Sequence, residues 1–321
     1  MTGKQKILID TDVGDDIDDA IALYVAMRRQ FEIVGITTVF RNTVDRARQV
    51  KKLLREYGHG YESVPVYVGH GVPMGAEPRE YPHIPHYTPD LAEDLYTPDE
   101  TDADAAVDFI LESCRRYGKE LTVIAIGPFT NIARAIQKDK DALNLAGRVV
   151  IMGGAFYKQY ADWNVISDVT AADIMFRNLH NLACIGADVT HLLVAEQALY
   201  DDLLDYAGKE SGHVYLTELF RLWRKDRPKA PLLLHDPLVM YYADDPDICD
   251  MRSASVVVLT DGYARGMTLN VDAYGKKRFN PEAYTDFDES QKTLVAAAVK
   301  RDVFNARIFA DIVTLAQSND A

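Results

Sequence analysis

Asp10-Thr11-Asp12-Val13-Gly14-Asp15-Asp16-Ile17-Asp18-Asp19 places six aspartates in one short stretch near the N-terminus. The apolar run Lys6-Ile7-Leu8-Ile9 precedes it. Ala20-Ile21-Ala22-Leu23-Tyr24-Val25, apolar at helical spacing, follows it. The carboxylates therefore fall where a strand hands over to a helix. Like charges this close repel unless something positive holds them, and a hard divalent cation prefers oxygen ligands. A metal-dependent active site is the expectation. Helix capping accounts for one or two of the acids, because exposed amides and the helix dipole favour Asp in a first turn. It does not account for all six.

Outward from this turn, strand and helix patterns alternate. Strands are expected at Lys6–Ile9, within Phe31–Phe40, and at Val64–Val68, Leu121–Ile126, Arg148–Met152 and Leu182–Ile185. Helices are expected at Asp18–Arg29, Thr43–Tyr57, Asp102–Tyr117, Asn131–Gln137 and Ala171–Leu179. The rhythm implies an α/β fold, a Rossmann-like, mostly parallel sheet flanked by helices. Ligands of such sheets sit at the carboxyl ends of the strands, where the acidic turn falls. Residues 69–100, rich in Gly, Pro, Tyr and His, form a long irregular loop. Ala195–Leu234 reads as an amphipathic helical segment. No linker or repeat divides the 321 residues, so one domain, 1–321, is expected.

A composition 48% hydrophobic can bury a sizeable core, and a net charge of −14 argues against nucleic acid or an anionic membrane as partner. The cysteines Cys114, Cys184 and Cys249 form no C-x-x-C pair, as expected of reduced thiols. With no signal peptide or membrane span read, the expected location is cytoplasmic.

Spacing discriminates among metal motifs. An EF-hand loop starting at Asp10 needs Gly where Asp15 stands and Glu where Ile21 stands. A phosphohydrolase D-x-D-x-T motif needs Thr where Gly14 stands. A D-x-D-x-G turn followed by an acidic pair at the helix start fits, with Asp12 and Asp19 able to chelate from opposite sides of one loop.

Further blocks follow in order: Thr37-Thr38-Val39-Phe40-Arg41-Asn42, Ile126-Gly127-Pro128-Phe129-Thr130-Asn131, Met152-Gly153-Gly154-Ala155, Ala161-Asp162-Trp163-Asn164 and His235-Asp236-Pro237-Leu238. With the acidic turn they resemble the signature blocks of the nucleoside hydrolase family, the inosine-uridine preferring N-ribohydrolases, over about residues 5–270. The resemblance implies Ca²⁺-dependent cleavage of a ribonucleoside to ribose and base in nucleoside salvage, by a homodimer or homotetramer. It implies Asp12, Asp19, Asp236 and the Ile126 carbonyl as metal ligands, with Asp12 also the general base. Asp18, Asn42, Asp162, Asn164 and His235 would hold substrate, His235 beside the ribose or leaving base. Such a bond breaks through positive charge on the sugar, which needs an activated water and a grip on the hydroxyls.

Three departures touch sugar recognition. The turn is two residues longer than the common form, so the acidic pair could be Asp15-Asp16; Asp18-Asp19 is preferred because the helix pattern continues from it, with Asp16 a further group in or behind the site. Asp162 stands where the family has Glu. A family Asn upstream of it has no clear counterpart, Gln159 being the nearest polar residue. His83, His86, Tyr206, Tyr215, Trp223 and Arg227 lie in segments able to line a base pocket. Asp236-Pro237 also fits an N-cap with Pro at the first helical position. The competing function is a non-catalytic, metal-dependent nucleoside or sugar binder on the same scaffold, and a metal-dependent phosphohydrolase is a third.

Overall fold

The computed structural model describes residues 4–77, 79–86, 102–195, 214–274 and 292–313. Along the chain run β1 (Lys6–Thr11), α1 (Asp18–Arg28), β2 (Glu32–Thr38), α2 (Thr43–Tyr57), β3 (Val66–Val68), α3 (Ala103–Tyr117), β4 (Leu121–Ala125), α4 (Thr130–Leu145), β5 (Arg148–Met152), α5 (Trp163–Ser167), α6 (Val169–Asn178), β6 (Leu182–Ile185), α7 (Ala187–Thr190), α8 (Val214–Asp226), α9 (His235–Asp244), β7 (Cys249–Ala254), β8 (Val256–Val258), β9 (Thr268–Asn270), β10 (Thr293–Val299) and α10 (Arg301–Val313).

One eight-stranded sheet has the order β3-β2-β1-β4-β5-β6-β10-β7, while β8 and β9 pair separately. Its pairs are parallel except β10 with β7. Ile7, Leu8 and Ile9 are apolar without alternation because β1 is covered on both faces. Ile7 and Ile9 belong to one core cluster, shared with residues of α1, α2, α8, α9 and α10, and Leu8 to a second, shared with residues of α3, α4 and α6. The order runs outward from β1 to β3 on one side and from β4 to β6 on the other. The topological switch point therefore lies between β1 and β4, and a crevice opens at their carboxyl ends.

Element boundaries shift for local reasons. β2 stops at Thr38 because Phe40 and Arg41 take left-handed backbone, with φ of 69° and 60°. Asn131–Gln137 is part of a longer helix, α4, interrupted at Asp139, whose carboxylate restarts it by accepting from the amides of Asp141 and Ala142. Within Ala195–Leu234 the helix is α8, residues 227–234 are non-helical, and 196–213 lie outside the described residues. Asp236 is not an N-cap. Leu234 holds that position, Asp236 lies in the first turn of α9, and Pro237 follows among the first amides, where a missing N–H costs nothing. Among the described residues no helix is long and apolar enough to cross a membrane.

Candidate active site

α1 packs against α9, bringing together two helix starts that both carry acids. The amide of Asp236 donates to Asp18 Oδ2 at 3.4 Å. Ligand oxygens of Asp18, Asp19 and Asp236 all lie within 4.8 Å of one another, and all three residues are buried. Both helix dipoles point their positive ends at this cluster, but that partial charge is small beside several carboxylates.

The six aspartates of the turn divide into three kinds. Asp10 is structural: it is buried and accepts from Thr37 Oγ1 at 2.6 Å and Asn131 Nδ2 at 2.7 Å, with burial pushing its carboxyl up to about 7. Asp15 and Asp16 are compensated. Asp15 pairs with Arg46 at 2.9 Å and Arg41 at 3.3 Å, and Asp16 with Arg227 at 2.6 Å. Asp12, Asp18 and Asp19 remain, with Asp236 as a fourth. Burial, and then repulsion from neighbouring carboxylates (Asp16 on Asp18, Asp12 on Asp19, Asp18 on Asp236), holds all three well above the ordinary carboxylate range. Asp12 is pushed up to about 7, burial and Asp15 outweighing the pull of Arg46. A cation among these oxygens reverses both causes, so the donor set suits a hard metal ion. The tight trio contains Asp18, expected on the sugar, while Asp12 lies beside it, at the carboxyl end of β1.

Two glycines make room for this arrangement. Gly14 has φ of +116°, and a Cβ there would lie 2.3 Å from Ile84 Cδ1. A Cβ on Gly127 would lie 2.9 Å from Asp12 Oδ1. That approach sets the Asp12 carboxylate against the chain that follows β4.

The crevice is a cavity of about 590 Å³, an ordinary size for a small-molecule site. Asp12, Asp18, Asp19, Ile126, Asp162, Asn164, His235 and Asp236 all line it. Asn164 donates both amide hydrogens to backbone, to Ile126 O at 2.9 Å and Met152 O at 3.1 Å. Its own oxygen is left to accept from a ligand hydroxyl. Asp162 caps α5 through Oδ1, and burial pushes its carboxyl up to about 6. Asn42 is a different matter. It is not among the residues lining the cavity: its oxygen caps α2 at Asp45 N, 3.1 Å, and its amide donates to Pro82 O.

Other candidates separate as clearly. Tyr215 and Trp223 are buried in the core, His83 pairs with Asp45 at 2.7 Å, and His86 is buried outside the lining. Arg227 lines the cavity; Tyr206 lies outside the described residues. Gln159 is exposed and not in the lining, whereas Tyr160 is.

Tyr160, His191 and Arg41 escaped the sequence reading. Tyr160 hydroxyl meets His191 Nδ1 at 3.0 Å, and the His191 ring lies edge-on to His235, centroids 5.1 Å apart. The available signal was position: Asp188-Val189-Thr190-His191 follows the carboxyl end of a parallel strand, where polar residues reach a ligand crevice. Asp188 Oδ2 accepts from the amides of Phe156 at 2.9 Å and Tyr157 at 2.7 Å, anchoring the loop that carries Asp162 and Asn164. Asp188→Ala leaves the buried Phe156 amide without an acceptor, at about 1–3 kcal/mol, and frees the partly exposed Tyr157 amide to water at a smaller cost. The expected result is a lower thermal midpoint and a raised KM with metal affinity unchanged; an unchanged KM contradicts the anchoring role.

A model of the inosine-uridine preferring nucleoside hydrolase family matches residues 7–306, and the chain belongs to that family. It is, by that membership, an N-glycosyl hydrolase. Uridine nucleosidase 1 of Arabidopsis thaliana is 31% identical over 291 residues, spanning 86% of this chain and 84% of that protein. A plant nucleoside hydrolase of known structure superposes with a TM-score of 0.80 at 25% identity, covering 97% of this chain and 99% of that one. The purine-preferring ribonucleoside hydrolase from Gardnerella vaginalis gives 0.76 at 26% identity, covering 97% and 99%.

Proposed function

We propose that the protein cleaves the N-glycosidic bond of a ribonucleoside to ribose and free base, using Ca²⁺ in the acidic cluster and Asp12 as general base. The convergence of Asp18, Asp19 and Asp236 within 4.8 Å, on one cavity wall with Asp12 and Ile126, carries this reading. The donors are oxygens only, which disfavours zinc and other borderline metals. Several carboxylates with a backbone carbonyl suit the larger Ca²⁺ better than Mg²⁺, which keeps most of its waters. When bound, such an ion lowers the pKa of a water and anchors vicinal hydroxyls.

The chain's own groups do the rest. Asp12 accepts the proton of the attacking water. Asn164 Oδ1 accepts from a ribose hydroxyl, and Asp162 and Asp18 offer further carboxylate oxygens. His235, which lines the same cavity, faces the departing base. The free, buried cysteines Cys114, Cys184 and Cys249 favour a cytoplasmic setting.

The deciding assay measures ribose release from a panel of purine and pyrimidine ribonucleosides, with Ca²⁺ and with chelator. Release from at least one nucleoside, lost on chelation and regained with Ca²⁺, is expected. Release indifferent to chelator counts against the metal, and none from any nucleoside counts against the activity.

A further inference from the structure

We propose that Thr190 is a positioning residue for the leaving base: its hydroxyl holds His235 in the tautomer that carries hydrogen on Nε2, so the ring offers an N–H to the base. The proposal rests on the hydrolase reading above and assigns a task to the Thr190 hydroxyl, which that reading leaves unused. Thr190 is fully buried, and its Oγ1 lies 2.5 Å from His235 Nδ1. Its backbone is already committed, the amide to Gly186 O at 3.1 Å and the carbonyl to Leu193 N at 2.9 Å. Gly186 O also takes the Val189 amide at 3.0 Å, so the carbonyl one turn back is doubly engaged.

The hydroxyl can therefore satisfy its hydrogen by donating to Nδ1. Accepting from Nδ1 instead would leave a buried O–H with nothing to bond, the costlier arrangement. With Nδ1 as acceptor, the neutral ring carries its hydrogen on Nε2. His191 packs edge-on against the ring from a second side, itself steadied by Tyr160, so rotation as well as tautomer is restrained. His235 lines the cavity together with both of these neighbours.

As the glycosidic bond breaks, its electron pair goes to the base, and negative charge develops on the ring nitrogens or exocyclic oxygen. A preorganised N–H there is worth more in the transition state than in the ground state. The equivalent ring with hydrogen on Nδ1 would present a lone pair and oppose the departure.

The test compares Thr190→Val and Thr190→Ser with wild type, all Ca²⁺-replete, on two substrates. One is a nucleoside that wild type cleaves, and the other is 4-nitrophenyl β-D-riboside, whose phenolate leaves without a donor. Thr190→Val should lower kcat on the nucleoside by about 10- to 100-fold. Its KM, and its rate on the nitrophenyl riboside, should stay within about twofold, and Thr190→Ser should recover the nucleoside rate. Equal loss on both substrates, or no loss on the nucleoside, overturns the proposal. A ¹⁵N long-range correlation spectrum of the wild type should show His235 protonated at Nε2 and bare at Nδ1. The opposite pattern overturns the proposal whatever the activity. Wild type inactive on both substrates, with the expected tautomer, instead defeats the hydrolase reading.

Discussion

Asp12→Asn protein is expected to release ribose about a hundred- to ten-thousandfold more slowly than wild type at saturating Ca²⁺. Asn keeps the shape of Asp but cannot take a proton from water. The substitution should spare the fold, because the backbone of this turn is held elsewhere: Arg46 bonds the carbonyls of Asp12 and Val13. It also removes one charge from a buried set whose members repel each other, Asp12 raising both Asp19 and Asp236. In chelator, the thermal midpoint should therefore equal or exceed that of wild type. Loss of rate with gain of stability is the signature of a group kept for chemistry rather than for folding. KM should change by no more than about tenfold, since an interaction made chiefly in the transition state shows in kcat. Initial rates and melting scans on the same preparations decide it. A variant within about tenfold of wild-type kcat would show that another group takes the proton.

The contrast between Asp12 and its neighbours shows how far local sequence reaches. The strand ends were readable because β-branched and apolar runs stop at Gly, Asn or Asp, and the switch-point crevice follows from alternating elements. The helix pattern favours Asp18-Asp19 over Asp15-Asp16, and in the structure Asp18 and Asp19 lie close to Asp236. Asp15 and Asp16 already have cations, but those cations come from Arg46, 31 positions away, and Arg227, 211 positions away. No local pattern announces such partners. Asn42, expected on the sugar, caps α2 and is not among the residues lining the cavity, because the same side chain that could hold a sugar also makes a good N-cap. Thr190 and His191 carry only the signal of their position after the carboxyl end of a parallel strand. Their significance comes from the approach of α9, which brings His235 to them across the sheet end.

Arg46 is where the extended turn and the fold depend on each other, and Arg46→Met is expected to cost about 3–5 kcal/mol of stability. The guanidinium is completely buried. Its Nε donates to Phe40 O at 2.7 Å, Nη1 to the Asp12 and Val13 carbonyls, and Nη2 to Asp15 at 2.9 Å. Phe40 and Arg41 sit in left-handed backbone that side-chain-bearing residues adopt only under constraint, and the bond to Phe40 O supplies part of that constraint. Met fills similar volume, so the loss is not a cavity effect. It is three carbonyls left without their donor and a largely buried carboxylate left with Arg41 alone. The denaturation midpoint should fall with the slope unchanged, and the Ca²⁺ concentration needed for half-maximal rate should rise, because the same turn carries Asp12 and leads into Asp18. Arg46→Lys keeps the charge but cannot reach four acceptors in a planar fork, so it should fall between Met and wild type. Asp15→Asn in the Arg46→Met background should recover part of the loss, since it removes a charge then held only by the half-exposed Arg41. Additive effects of the two substitutions would mean that Asp15 does not answer to Arg46, and that the added acids of this turn are held by solvent and Arg41 instead.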